Sequence, residues 1–163
     1  MRYHVYQKTG LNGSWGTTPI DTIEFQSSDV TFTVGGLNTA SNNYCYKIVT
    51  FDECGTKPEL ASEEICSMIL NATANTSRNA VQWGSYAKTT NGVNYNLDVN
   101  GSTLTTTSQN LPKNTPINYL DADVLCKQNY CYQVTASYGV SGIQSISALV
   151  CVVGEKQIGR AHV

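Results

Sequence analysis

The sequence has little charge, little histidine and no long apolar run. Charged residues make up 13% of the 163 residues and the net charge is −2, whereas globular domains usually carry about 25% charged residues. Such a chain has no basic surface of the kind that nucleic-acid-binding proteins use. No stretch approaches the roughly 20 apolar residues of a membrane-spanning helix. We therefore expect neither a nucleic-acid partner nor a membrane span.

The residues that carry most enzyme and metal chemistry are also scarce. The histidines are His4 and His162, and neither has Cys, Asp or Glu at ligand spacing. Without a paired Cys-x-x-Cys motif a zinc site is not expected, and no glycine-rich phosphate loop occurs. Asp121 and Asp123 could offer oxygens to Ca²⁺, but such a pair is more often a solvated loop. We expect no catalytic residues, no metal and no cofactor, so the chain is not expected to be an enzyme.

Cysteine, by contrast, occurs six times, and four of the six lie in a duplicated motif. Tyr-Cys-Tyr-Lys-Ile-Val at 44–49 leads through a turn to Cys66, and Tyr-Cys-Tyr-Gln-Val-Thr at 130–135 leads to Cys151 at nearly the same separation. Residues favoured in strands alternate in both copies, and Gly or Pro marks the turn that follows. Each copy therefore predicts a β-hairpin.

Strand register in the second copy can be tested on its side chains. If Cys131 faces Cys151, then Tyr132, Val134 and Ala136 face Val150, Ala148 and Ile146, and one face of the hairpin is wholly apolar. Such a face suits the core side of a sheet. The cysteines then lie together on the solvent side.

The first copy follows the same register with one misfit. Pairing Cys45 with Cys66 sets Lys47 opposite Glu64 as a cross-strand charge pair, but it sets Glu63 opposite Ile48 on the core face. A β-bulge near Ser62 would remove this misfit.

Both registers bring cysteines to directly opposite positions. Opposite Cβ atoms in an antiparallel pair lie about 4.5–5.5 Å apart, so a bridge needs only a small approach. We predict disulfides Cys45–Cys66 and Cys131–Cys151. Such bridges indicate an oxidising compartment, and we expect the chain to be extracellular or exposed at the cell surface.

The remainder of the chain consists of short apolar segments separated by turns, which predicts an all-β protein of two sandwiches. The first, residues 1–68, contains strands at 3–8 and 30–34; the second, 69–154, contains strands at 80–83, 93–99 and 117–121. The first sandwich has no counterpart of the 80–83 strand and is expected to lack its N-terminal strands. Its inner face should then be partly open, and it should be the less stable of the two.

Aromatic residues are the main candidates for the core. We expect Trp83, Tyr44, Tyr46, Tyr130 and Tyr132 to pack between the sheets, as buried aromatics usually do. Trp15, Tyr86 and Tyr138 lie near turns, where an aromatic ring could instead stack on a sugar.

The duplicated motif, with Gly55 and Ser62 or Gly142 and Ser145 downstream, resembles the sixth-strand region of fibronectin type III domains. Val-Gln-Trp at 81–83 is similar to that family's second strand with its core Trp. The added cysteines are similar to those of tandem repeats in large Bacteroidota surface proteins, which commonly carry a gliding-motility-associated sorting domain and leave by type IX secretion. The resemblance covers about residues 2–154 and implies tandem fibronectin type III-like sandwiches. No sorting domain lies within the 163 residues.

Two cysteines and the last residues fall outside this pattern. Cys54 lies in the first hairpin turn and Cys126 just before the second hairpin. In a tandem array they should be too far apart to bridge one another, so each is expected to be unpaired, to form a local bridge, or to bridge to a neighbouring repeat. Residues 158–163 resemble a translated sequencing adapter, so we treat 155–163 as a non-native tail and the chain as an interior fragment of a longer exported protein.

These features favour a structural role. The expected function is a spacer repeat of a large extracellular adhesin or cell-surface protein, whose partners are neighbouring repeats of the same chain. The alternative is a module that binds extracellular glycan or protein through the loops at 84–92 and 137–143, for instance as an accessory domain of an exported glycoside hydrolase. Fold alone does not choose between them.

Overall fold

The computed structural model describes residues 2–24, 31–52, 54, 60–85, 92–112, 114–138 and 143–155. The chain divides into two compact units, Met1–Ser67 and Met68–Val163. Regular structure in the described ranges is entirely β-strand. Within the same ranges, no helix has the length or apolarity needed to cross a membrane.

The strands, in chain order, are β1 (Arg2–Thr9), β2 (Asp21–Glu24), β3 (Tyr44–Phe51), β4 (Ile65–Cys66), β5 (Leu70–Asn75), β6 (Arg78–Gly84), β7 (Val93–Val99), β8 (Ser102–Gln109), β9 (Pro116–Asp121), β10 (Asn129–Tyr138), β11 (Ile143–Ile146) and β12 (Val150–Val153).

The first unit is one antiparallel sheet in the order β2-β1-β3-β4. Alternation along β1 and β3 sends Val5 and Tyr44 to one face and Cys45 to the other. Few apolar side chains of its described residues are fully enclosed: Val5, Tyr44, Cys45 and Cys66. A single sheet cannot cover both of its faces, so the core of this unit is small.

The second unit is a sandwich of two antiparallel sheets. One sheet has the order β5-β6-β9, and the other has the order β11-β10-β7-β8 with β12 also paired to β10. Trp83 and Val81 of β6 are buried, as are the inward residues of β7 and β10, among them Leu97 and Tyr132. Asn100 and Gly101 take positive φ values of 50° and 80° and close the β7–β8 hairpin, as a tight two-residue turn requires. The predicted all-β, immunoglobulin-like sandwich is confirmed.

The two units share the strands around the duplicated hairpin and differ in the rest. β1, β2 and β3 have the same order and pairing as β7, β8 and β10. No counterpart of the β5-β6-β9 sheet occurs among the described residues of the first unit. The strand predicted at 30–34 is wrong for its described part, 31–34, which has no strand structure. In the second unit β9 pairs with β6, and no such partner occurs among the described residues of the first unit; an extended segment without a partner has no ladder to join.

Strand-like pairing in the second unit extends past the predicted boundary at 154. Glu155, the first residue of the predicted tail, forms a parallel bridge with Thr76, and its carbonyl accepts a hydrogen bond from the Ser77 amide at 3.2 Å. Residues 156–163 lie outside the described ranges.

Candidate functional site

Both units contain a disulfide-linked β-hairpin. Cys45 pairs with Cys66 between β3 and β4, and Cys131 pairs with Cys151 between β10 and β12. The S–S distances are 1.98 and 2.02 Å, and the bridges span 21 and 20 residues. The structure therefore contains both cysteine pairs that the sequence indicates.

The two bridges differ in their exposure to solvent. Cys151 is exposed and Cys131 half-buried, as a solvent-facing bridge should be. In the first unit, however, Cys45 and Cys66 are 0% and 1% exposed. The prediction that this bridge faces solvent is wrong, because the chain between β1 and β2 approaches it: the Gly10 carbonyl lies 4.0 Å from the Cys45 sulfur.

A buried ion pair lies next to the first bridge. Lys8 is directly opposite Cys45 in the β1–β3 ladder, and its Nζ lies 2.8 Å from Oε2 of Glu64, with both side chains only 7% exposed. The Lys8 ammonium also donates to the Leu11 carbonyl at 3.1 Å and lies 4.8 Å from the centre of the Trp15 ring. A pair this deep needs such additional partners to offset the lost hydration.

This arrangement corrects the predicted pairing of Lys47 with Glu64. The Lys8 ammonium contacts the Glu64 carboxylate, while Lys47 Nζ lies over the rings of Trp15 and Tyr6 at 4.7 and 5.3 Å. The β3–β4 ladder pairs Cys45 with Cys66 and Tyr46 with Ile65, and it does not extend to Lys47 and Glu64.

A serine forms the same bulge in both hairpins. Ser62 donates its amide to the Ile48 carbonyl at 2.7 Å, and its Oγ accepts the Ile48 amide at 2.9 Å. Ser147 makes the same two bonds to Val134, each at 2.9 Å. Each serine precedes the second cysteine of its bridge by four residues. The bulge predicted near Ser62 is therefore present.

The repeat of this bulge at Ser147 was not predicted, and it changes the register of the second hairpin. Beyond Ser147 the ladder pairs Ala136 with Ser145 and Thr135 with Ile146. Ser145 is consequently 7% exposed, and Ile146 is 56% exposed. The predicted pairing of Ala136 with Ile146 is wrong for this reason. An apolar match was available without a bulge, so no mismatched side chain indicated one.

A second feature present in both units is a hydrogen bond between the tyrosine at the start of each hairpin and the loop before it. The Tyr130 hydroxyl accepts the Leu125 amide at 2.7 Å, and the Tyr44 hydroxyl accepts the Asn38 amide at 3.2 Å. Both tyrosines are 8% exposed. This is the tyrosine corner of immunoglobulin-like sandwiches, and it occurs in both units.

The tyrosine after the bridging cysteine carries a buried polar network in the second unit. The Tyr132 hydroxyl donates to Asp121 Oδ2 at 2.6 Å and accepts from Asn79 Nδ2 at 2.8 Å. Burial, and next the hydrogen bond to Asp121, raise the pKa of Tyr132 well above its usual value. The counterpart Tyr46 is half-buried, and burial also raises its pKa.

Asp121 is a candidate calcium ligand by sequence, but its surroundings do not fit that role. It is 4% exposed, and its other oxygen accepts the Asp123 amide at 3.3 Å. The carboxylate is thus a core acceptor. The period-two alternation from Ile117 through Tyr119 would have placed it inward. No group of three or more His, Cys, Asp or Glu residues suitable for a metal occurs within the described ranges.

Two of the remaining aromatic candidates, Trp83 and Tyr138, lie in the core. Trp83 is 2% exposed, lies 6.1 Å from the Tyr95 ring, and its Nε1 finds no hydrogen-bond partner among the described residues. Tyr138 is 4% exposed, which removes it from any sugar-stacking surface. Tyr86 lies outside the described residues, as do 86–91 and 139–142 of the two candidate binding loops.

Cys54 and Cys126 are free and exposed in the structure. The Cys54 amide is bonded to Asp52 Oδ1 at 3.2 Å. Both thiols are therefore available to a partner in solvent.

Comparisons with known proteins give little beyond this geometry. No protein-family model and no curated protein sequence matches the chain. Among solved structures, the selenomethionine-substituted chicken interferon gamma receptor alpha chain matches with a TM-score of 0.42 and 10% sequence identity, over 94% of this chain and 85% of that one.

Proposed function

We propose that this chain is a non-catalytic structural spacer of a large extracellular adhesin or cell-surface protein. The observation that carries the proposal is what the two units have in common. Both repeat the disulfide, the serine bulge and the tyrosine corner at matching positions. In all three features a side chain links two segments of the backbone, which supports a scaffold role for the repeated part of the chain.

The placement of the bridges suits a chain that bears tension. Each disulfide joins the first strand of its hairpin to the returning strand, at sequence separations of 21 and 20, so the chain between the cysteines cannot extend. At about 3.3–3.6 Å per extended residue, each bridge withholds roughly 70 Å of chain length when a unit is pulled open. A spacer with this construction lengthens less under load than an unbridged sandwich of the same size.

The partners that we propose are neighbouring repeats of the same chain. Exposed thiols are unusual in a chain whose other cysteines are bridged, and Cys54 and Cys126 are both exposed. We propose that each bridges to an adjacent repeat. The similarity of the Tyr-Cys-Tyr motif to repeats of Bacteroidota surface proteins supports export of the chain by type IX secretion.

Single-molecule force spectroscopy tests the spacer proposal. The chain, held between marker domains, should show separate unfolding events for its two units. The Cys131→Ser/Cys151→Ser variant should release about 70 Å more chain than the oxidised protein in one of them. A chain that extends like an unstructured linker, with no unfolding peaks, would contradict the proposal. Peptide mapping of a longer natural chain would test whether Cys54 and Cys126 bridge to flanking repeats.

A further inference from the structure

Sheet edges in this protein are mostly protected against pairing with other chains. β2 is four residues long and carries Asp21 and Glu24. β9 begins at Pro116, and Glu155 meets the chain just beyond β5 at Thr76. The return strand of the second hairpin is broken into β11 and β12 by the bulge at Ser147. Short length, charge, proline and bulges are the usual protections of an edge.

β8 lacks most of these protections. It pairs with β7 on one side and ends its sheet on the other. Its eight residues, Ser-Thr-Leu-Thr-Thr-Thr-Ser-Gln, include no charge and no proline. A bulge leaves Leu104 without an opposite residue, but from Thr105 to Gln109 the ladder to β7 is regular. Threonine favours extended structure. This segment is therefore a regular, neutral edge, and no other strand of the described residues pairs with its outer side.

We propose that the β8 edge pairs antiparallel with the β8 edge of a second copy of this chain. A two-fold axis at Thr107 would set Thr106 opposite Ser108 and Thr105 opposite Gln109. Each pair keeps both of its residues on the same face of the sheet, as one continuous sheet requires. Every cross-copy pair is neutral, and Thr–Ser pairs are favourable in sheets. The edge is therefore complementary to itself, which a symmetric dimer interface must be.

The proposed contact is small. Five residues from each copy form it, and their side chains are short, so it belongs to the weak, transient class of interfaces below about 1,200 Å². It goes beyond the spacer function, because it associates spacers side by side between chains. It does not depend on which protein carries them.

Sedimentation equilibrium of the whole chain tests the proposal with a matched pair of variants. Ser108 and Asn94 are opposite each other in the β7–β8 ladder, and both are exposed. S108K puts a charge on the edge itself, and N94K puts the same charge one strand inward. Both are made in a Cys54→Ser/Cys126→Ser background, which prevents intermolecular disulfides and leaves the two bridges intact.

The parent chain should rise from 17.7 kDa toward twice that mass as its concentration approaches about 1 mM, a range suited to a weak interface. S108K should remain monomeric, and N94K should associate as the parent does. A parent chain that stays monomeric throughout would overturn the proposal, and so would equal effects of S108K and N94K, since that dimer would use another surface. T106K, on the same edge, serves as the second variant, and circular dichroism verifies that each variant is folded.

Discussion

The Ser147 hydroxyl oxygen accepts the backbone amide of Val134 at 2.9 Å inside the second unit, where the partner strand would ordinarily supply a carbonyl. Both residues are buried. The bond satisfies an amide that water cannot reach, at the one point where the bulge interrupts the ladder. The hydroxyl in turn donates to the Ala148 carbonyl at 2.9 Å.

Replacing Ser147 by Ala should therefore destabilise the second unit by about 1–3 kcal/mol, the cost of leaving a buried amide without a partner. Ser62→Ala should cost less, about 0.5–1.5 kcal/mol, since the equivalent bond to Ile48 is exposed to solvent. Urea denaturation of both variants measures the difference. Ser108→Ala, at an exposed strand position, is the control and should change stability very little. Equal losses for Ser147→Ala and Ser62→Ala would show that burial of the amide is not the cause.

The sequence predicts the local pattern well and the long-range packing poorly. The cysteine pairs, the strands of the duplicated hairpin and the bulge near Ser62 follow from alternation and register within about 25 residues. The Lys8–Glu64 pair joins β1 to the residue just before β4. The hydrogen bonds between Tyr132, Asn79 and Asp121 join three strands of two sheets. Period-two alternation shows which face a residue occupies but not what lies across it. The strand prediction for 31–34 was wrong for a related reason. A strand forms only against a partner strand, and the sequence of the segment itself does not show whether that partner exists.

The first unit should be less stable than the second. Its described residues enclose only four apolar side chains, Val5, Tyr44, Cys45 and Cys66, whereas the second unit has a full layer between its two sheets. Less buried apolar surface means a smaller free energy of unfolding. Hydrogen exchange on the whole chain should show amides of β3 exchanging at least about tenfold faster than those of β10, a difference of about 1.4 kcal/mol in opening free energy. Equal protection of the two strands would contradict this prediction.

The two disulfides should be reduced in a fixed order under native conditions. Cys151 is exposed, so a phosphine or thiol reaches the Cys131–Cys151 bridge directly. Cys45 and Cys66 are almost fully enclosed, and their bridge becomes reducible only when the first unit opens. Timed alkylation followed by mass spectrometry should detect free Cys131 and Cys151 first. In denaturant both bridges should be reduced at similar rates. Simultaneous reduction without denaturant would argue against the burial of the first bridge.

Removing one member of the buried Lys8–Glu64 ion pair should destabilise the first unit far more than replacing both members with apolar residues. Lys8→Met alone leaves the Glu64 carboxylate without its ammonium in a site where both side chains are only 7% exposed, and it should destabilise the first unit by about 3–5 kcal/mol. The double variant Lys8→Met/Glu64→Leu removes both charges and should recover most of that loss. Thermal unfolding of the three proteins measures the effect. Lys47→Met is the control, since the Lys47 ammonium contacts aromatic rings and should cost about 1 kcal/mol. A double variant as unstable as the single one would show that packing, and not the loss of the ammonium beside Glu64, sets the loss.

Tyrosine burial should make the second unit sensitive to alkali. Burial raises the pKa of Tyr132 and Tyr138 well above 10.0, their ordinary value. Below pH 10.0 both hydroxyls are neutral in the folded and unfolded chain alike, so they leave stability unchanged. Above it, the unfolded chain releases these protons and the folded chain retains them, so the free energy of unfolding falls with rising pH. Each retained proton contributes a slope of up to about 1.4 kcal/mol per pH unit.

Tyr132→Phe and Tyr138→Phe separate this titration from the packing of the rings. Each variant is expected to start less stable at neutral pH, Tyr132→Phe more so because Asp121 and Asn79 both lose a bonded partner. Above pH 10.0, however, each should lose stability more slowly than the parent, because one titrating hydroxyl is gone. Urea denaturation monitored by circular dichroism over a pH series gives both the offset and the slope. A variant with the parent's slope would mean that its tyrosine already ionises in the folded protein, and its hydroxyl would then be open to solvent.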